Sequence, residues 1–228
     1  MRGPVGAPGK DGLRGPPGAP GRDGLQGPAG APGRYVQAKL AGATYIRWGR
    51  TSCPGGSSLL YTGRVGGTFY KTSGGAANPL CLPDSPEYST VALRRSVSKN
   101  SLVHGAEYEL ENADLFDGPG NNQLNVPCSL CQATGRSTMI MIPAKLTCPD
   151  SSWTLEYTGF IMSASTWGEY KLHRSMYECV DRRAEGTHGS QSDVNGAVFY
   201  YSSISCHSFL HCPPYKENIA LSCVVCSK

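Results

Sequence analysis

Short runs in which apolar and polar side chains alternate recur along the chain after residue 57. Alternation with a period of two, rich in aromatic and β-branched residues, predicts β-strands with one buried face. These runs include SLLYTGRV (58–65), GTFYKT (67–72), WTLEYTGFIM (153–162) and GAVFYYSSI (196–204). Stretches rich in Gly, Pro and Asn separate them, among them SGGAANP (73–79), DGPGNN (117–122) and CPPY (212–215). The helix-compatible piece EYSTVALRRSV (87–97) is short and poorly capped, so the pattern predicts an all-β globular part.

The first 34 residues follow a different period, with glycine at every third position. Three polyproline-II-like chains can wind together only where the residue at the crowded axis has no side chain, so this run predicts a collagen triple helix and a trimer. A flexible Gly/Pro linker is the alternative, but it would not need a strict register over eleven triplets. The glycines predicted to lie at the axis are Gly3, Gly6, Gly9, Gly12, Gly15, Gly18, Gly21, Gly24, Gly27, Gly30 and Gly33.

Positive charge is concentrated in this predicted stem, residues 1–34. Its charged residues are Arg2, Lys10, Arg14, Arg22 and Arg34 against Asp11 and Asp23, a net charge of +3, which leaves 16 basic and 15 acidic residues elsewhere. A solvated collagen surface explains this charge without nucleic acid, and contact with an acidic polysaccharide is a second interpretation. No apolar run approaches the length of a membrane span, so we expect no membrane insertion.

Met1 and Arg2 would fill the X and Y positions of a preceding triplet, and no apolar signal-peptide core follows them. This arrangement predicts that the sequence comes from a longer precursor.

All ten cysteines follow the glycine run, and landmarks around them occur twice. CPGGSSLLYTG at 53 recurs as CPDSSWTLEYTG at 148, CLPD at 81 as CVD at 179, VHGA at 103 as VNGA at 194, and CSLC at 128 as CVVC at 223. The offsets of 95, 98, 91 and 95 residues keep one order, which predicts a tandem duplication. The predicted organisation is a stem (1–34), a junction (35–42) and two head subdomains (43–140 and 141–228).

The two Cys-x-x-Cys pairs have three interpretations from the residues alone. They could supply a four-thiolate zinc site, they could be redox motifs, or they could be anchored by disulfides. The even cysteine count beside collagen repeats favours an oxidising, extracellular compartment and therefore disulfides. Thioredoxin-like chemistry needs a strand followed by a helix N-terminus at the motif, which neither flanking sequence suggests.

Two cysteine-framed halves behind a collagen run, each opening with CP and L-x-Y-x-G and closing with Cys-x-x-Cys, resemble the C-terminal noncollagenous domain of type IV collagen. The chain resembles the short-chain, spongin-like collagens of invertebrates more closely than it resembles that domain. The first half lacks the cysteine pair that the second half has at 206 and 212. The resemblance implies nested disulfides that join Cys53 to Cys131, Cys81 to Cys128, Cys148 to Cys226, Cys179 to Cys223 and Cys206 to Cys212.

The segment CHSFLHC (206–212) places His207 and His211 four residues apart, which would suit a metal ion if the segment were helical. A small disulfide-closed loop with exposed imidazoles is the simpler interpretation, so we predict no metal site and no cofactor. The twelve tyrosines could be oxidative crosslinking sites in a matrix, although packing on strand faces is the simpler role.

These features predict a secreted structural protein of the extracellular matrix or of a fibre. Its head would join three chains and set their register, and the trimers could associate further or stack through their strands. By resemblance, the heads would trimerise through exchanged or abutting β-structure, with the chain itself, other matrix collagens or acidic polysaccharide as partners. The alternative is a soluble, lectin-like recognition protein with a collagen stalk. No catalytic motif is recognisable, so we do not expect an enzyme.

Overall fold

A computed structural model of the chain describes residues 2–22, 41–90, 101–111, 113–118, 120–166, 173–187, 193–206 and 210–228. The chain divides into two compact units, Met1–Gln37 and Ala38–Lys228. Several sequence predictions lie outside the described residues: Gly24, Gly27, Gly30, Gly33, His207 and most of the junction at 35–42.

Residues 2–22 of the first unit form neither helix nor strand, and all of them are exposed. A Cβ atom added to any glycine from Gly3 to Gly21 would meet no other atom within 4 Å. The single chain therefore gives no steric reason for glycine at these positions. The triple helix itself stays a prediction.

The second unit is all-β and disulfide-rich, as predicted, and its described residues contain no helix. Accordingly, no helix in the described part of the chain is long and apolar enough to cross a bilayer. The ten strands are β1 (Gly42–Trp48), β2 (Ser57–Gly67), β3 (Leu80–Pro83), β4 (His104–Tyr108), β5 (Pro127–Thr134), β6 (Met139–Pro143), β7 (Thr154–Ser163), β8 (Glu178–Asp181), β9 (Ala197–Tyr201) and β10 (Ser222–Ser227).

Strands β1–β5 and strands β6–β10 have the same pairing scheme. In each run the first strand pairs with the fifth, the fifth with the second, and the second with the third and fourth, always antiparallel. The registers also correspond, because Gly63 of β2 faces Cys128 and Gly159 of β7 faces Cys223. At both glycines an added Cβ would collide with a neighbouring backbone carbonyl, so the glycine of each L-x-Y-x-G motif allows close strand approach.

Two parallel pairings join the halves, β1 with β8 and β4 with β9. They close a circuit of seven strands in the order β7, β8, β1, β5, β2, β4, β9 and back to β7. The main core contains Trp48 and Tyr108 from the first half and Val180 and Phe199 from the second. A second core cluster also draws on both halves, with Tyr45 and Cys131 beside Tyr157 and Ile161. The halves therefore share one sheet and both core clusters, and β6 spans the predicted boundary at residue 140.

The prediction of a strand at GTFYKT was wrong, because β2 ends at Gly67. The Thr68 hydroxyl donates to the Ala76 carbonyl and accepts from the Ala76 amide, and the Thr72 amide donates to the Phe69 carbonyl. These local hydrogen bonds close a turn and compete with pairing to a further strand. EYSTVALRRSV is described only to residue 90, and that part is not helical.

Candidate assembly surface

All ten cysteines form disulfides, and the five pairs are those that the resemblance implies: Cys53–Cys131, Cys81–Cys128, Cys148–Cys226, Cys179–Cys223 and Cys206–Cys212. No thiolate is left for a four-thiolate zinc site. Five disulfides indicate an oxidising, extracellular type of environment.

The strand conformation of each Cys-x-x-Cys explains why its two cysteines bond to different partners. Cys128 and Cys131 both lie in β5, and three residues of strand span about 10 Å, too far for a direct disulfide. Their side chains also point to opposite faces of the sheet. Cys128 therefore bonds to β3, and Cys131 bonds to Cys53 ahead of β2.

A buried ion pair holds the halves together at the β1–β8 junction. Arg47 of β1 contacts Asp181 of β8 through Nη2 at 2.6 Å and Nε at 2.8 Å, and the two side chains are 2% and 1% exposed. Arg47 also donates to the Ser52 carbonyl at 2.7 Å and lies 5.8 Å from the centre of the Tyr157 ring. Each charge has a hydrogen-bonding partner, which buried charges require.

Glu156 of β7 forms the second buried polar contact between the halves. Its carboxylate accepts from the Tyr45 hydroxyl at 2.7 Å, from Ser57 at 3.0 Å and from Ser227 at 2.5 Å, and it pairs with Arg136 at 2.9 Å. Burial raises the pKa of the Tyr45 phenol, which stays neutral and donates. Charged and polar contacts therefore specify the junction within one chain.

The matching junction, between β3 and β6, is not formed. Among the described residues β3 pairs only with β2, and β6 pairs only with β10, so both are edges of the sheet. Exposed apolar side chains lie on these edges and on the adjoining part of β2: Leu80 (41%) and Leu82 (41%) on β3, Met141 (40%) on β6, and Leu59 (49%) and Leu60 (49%) on β2. We call these two edges and the adjoining β2 residues the open edges.

The open edges carry apolar residues where the closed junction has polar ones. The strand registers place Ile142 in β6 where Arg47 lies in β1, and Pro83 in β3 where Asp181 lies in β8. Leu60 likewise stands in the LLYTG motif where Glu156 stands in LEYTG. Exposed apolar edges of this kind mark sites of protein association.

An acidic cluster lies at the other junction between the halves, beside β4 and β9. Oxygen atoms of Glu107, Glu109 and Asp193 all lie within 4.8 Å of one another. Glu107 is buried and accepts from the Asn195 amide at 2.5 Å. Burial and the neighbouring carboxylates raise the pKa of Glu109 to about 7. The alternating acids of EYELE (107–111) are the signal in the sequence from which this cluster could have been predicted.

The cluster predicts a pH-dependent stability. Since the pKa of Glu109 rises from 4.5 to about 7 on folding, the folded protein binds more protons than the unfolded chain between those values. The free energy of unfolding therefore falls as pH rises from 4.5 to 7, by roughly 1 kcal/mol from Glu109 after allowance for its partial exposure. Urea unfolding of Glu109→Gln across this range should show a flatter pH dependence than the natural chain, whereas Glu87→Gln, at an exposed loop residue, should not. Equal slopes in all three would contradict this assignment.

The predicted histidine pair remains untested by the geometry. His211 is exposed beside the Cys206–Cys212 disulfide, and His207 lies outside the described residues. Within the described ranges, the acidic cluster is the group of side chains that could hold a metal ion, and it includes neither histidine.

No protein-family model matches this chain.

Proposed function

We propose that this chain is a secreted structural collagen whose head joins three chains and sets the register of their stems. The observation that carries the proposal is glycine at every third position from Gly3 to Gly33. One chain alone has open space around Gly3 to Gly21, so no demand for glycine arises there within the chain. A triple helix supplies that demand, because its axis admits only glycine.

The open edges supply a route by which three heads can meet. The first half presents β3 as an unpaired edge, and the second half presents β6. The strands that correspond to them in the other half, β8 and β1 respectively, pair with each other within the chain. If β3 of one head meets β6 of the next, the contact is head-to-tail, and a contact of this type closes into a ring when its rotation allows. A ring of three would place three stem ends together, as the triple helix requires.

Joining the heads also addresses the costly step of stem assembly. Eleven triplets make a rod of only about 100 Å, and three chains must meet in the correct stagger before the rod can extend. Heads that hold the chains together raise the effective concentration of the stems to around millimolar. The disulfides suit this role in the extracellular matrix, where thiols are oxidised.

The contrast between the two junctions gives the interface its specificity. The junction within a chain buries Arg47, Asp181 and Glu156, whereas the open edges offer Ile142, Pro83 and Leu60 at the corresponding positions. If an open edge docked in place of β1 or β8, a buried charge at that junction would lose its partner. This cost disfavours replacing the contact within a chain by a contact between chains.

Charged substitutions on the open edges test the proposed trimer. Leu82→Asp and Met141→Asp place a carboxylate in the proposed interface, and each should raise the dissociation constant of the trimer roughly 100-fold. The matched control is Leu115→Asp, at a leucine of similar exposure (43% against 41% for Leu82) in the loop between β4 and β5.

Light scattering over a concentration series would measure the mass of each variant. We expect Leu82→Asp and Met141→Asp to shift toward monomer and Leu115→Asp to stay trimeric. All three should unfold within about 0.5 kcal/mol of the natural monomer, because the changes are at the surface. Trimers of unchanged affinity in both edge variants would contradict the proposed contact.

A further inference from the structure

A cavity of about 530 Å³ lies beside the acidic cluster, and both carboxylates and tyrosines line it. The acidic groups are Glu109 and Glu111, and the aromatic ones are Tyr177, Tyr200 and Tyr201. Burial and the two glutamates raise the pKa of Tyr200 to about 12, so its ring is neutral at physiological pH. The cavity therefore combines negative charge with aromatic faces.

Basic side chains do not pair with the acids of this region within the described part of the chain. None of the salt bridges there includes Glu107, Glu109, Glu111 or Asp193. The Glu109 carboxyl shares a hydrogen bond with the Glu107 carboxyl, and burial raises the pKa of both groups. A cationic donor from outside would pair with these acids through charge-assisted hydrogen bonds.

A guanidinium or ammonium group suits these walls better than a neutral ligand would. Glutamate oxygens accept charge-assisted hydrogen bonds from such a group, and tyrosine faces attract it through the cation–π interaction. The volume lies within the range of pockets that bind ligands larger than a single ion.

The chain contains a segment of complementary charge. In residues 2–22 of the stem, Arg2, Lys10, Arg14 and Arg22 stand against Asp11, a net charge of +3, and all of these residues are exposed. The X and Y side chains of a triple helix point outward, so these basic groups would stay accessible in the assembled stem.

We propose that the cavity lined by Glu109, Glu111 and Tyr200 binds a basic side chain from the stem of a neighbouring molecule. This contact rests on the proposed function, because it takes the trimer as the unit that associates further. Each trimer would carry three acidic cavities and three basic stem segments. Many weak contacts could therefore act together in a larger assembly. Since the contact is ionic, salt weakens it.

Sedimentation velocity of the full chain, at about 50 mM and about 500 mM NaCl, tests the proposal. We expect the natural protein to form particles larger than the trimer at low salt and trimers at high salt. The head variant Glu109→Gln/Glu111→Gln should raise the concentration needed for the larger particles roughly tenfold while the trimer mass stays unchanged. Glu87→Gln, which removes an exposed acid elsewhere, should assemble as the natural protein does.

A stem variant makes the test reciprocal. Lys10→Gln/Arg14→Gln/Arg22→Gln should weaken the larger assembly as the head variant does, and combining the two sets should add little further loss, because they remove the same contact. Additive losses, or normal assembly of the head variant, would overturn the proposal. A calcium titration gives a further outcome that would overturn the proposal. If calcium chloride raised the unfolding temperature of the natural chain but not that of the head variant, the cavity would be a site for a metal ion. A natural chain that is monomeric at both salt concentrations would instead refute the proposed function.

Discussion

Replacing Arg47 by methionine should destabilise the chain by about 3 to 5 kcal/mol, because it leaves the Asp181 carboxylate buried without its counter-charge. Asp181 is 1% exposed, accepts a hydrogen bond from Nε of Arg47 and lies 2.6 Å from its Nη2. The other cation near it, Arg183, is 62% exposed and 4.0 Å away. Urea unfolding with the disulfides intact would measure the loss. The control is Arg182→Met, which breaks the exposed pair with Asp117 and should shift the unfolding midpoint far less than Arg47→Met does.

The double variant Arg47→Ile/Asp181→Val separates the missing charge from lost packing. It removes both charges and leaves apolar residues, as the corresponding positions Ile142 and Pro83 already are. Apolar replacement of a whole buried pair is often neutral or stabilising, so the double variant should recover most of the lost free energy. A double variant as unstable as Arg47→Met would mean that the pair acts through shape and not through charge.

The second large effect is expected for the Cys148–Cys226 disulfide. It closes a loop with a sequence separation of 78 residues, and in the chain-entropy model such a loop contributes about 4 kcal/mol. Cys148→Ala/Cys226→Ala should therefore lower the free energy of unfolding by about that amount in a urea titration.

The Cys206–Cys212 disulfide provides the comparison. Its sequence separation is only 6, so Cys206→Ala/Cys212→Ala should cost about 2 kcal/mol in the same titration. Equal losses for both pairs, or the larger loss for the short loop, would show that loop length does not govern the contribution of these disulfides.

Strands could be predicted from the sequence because alternation is a local pattern, whereas the disulfide pairing was implied only by the resemblance to a known family. Alternation in SLLYTGRV and WTLEYTGFIM predicted β2 and β7, and the recurring cysteine landmarks predicted the duplication that relates β1–β5 to β6–β10. The same reasoning failed at GTFYKT, where hydrogen bonds of the Thr68 side chain replace a further strand. Side-chain competition of this kind has no signature in an alternating pattern.

The contacts between the halves could not be predicted, because they depend on strand pairing at long range. Nothing near Arg47 in the sequence indicates that Asp181 lies beside it, 134 residues away. Glu156 looks like a solvent-facing residue within an alternating strand, yet it is buried among hydroxyl groups of both halves. The cavity lined by Glu109 and Tyr200 likewise forms only when β4 lies beside β9.

The mass of the oxidised 228-residue chain in solution tests the central claim most directly. Light scattering coupled to size exclusion should give a particle of three chains, and trypsin should leave its stem intact below the melting temperature of the triple helix, because wound chains resist cleavage. A monomer with a rapidly cleaved stem across the whole concentration range would contradict the account that the head joins three collagen chains.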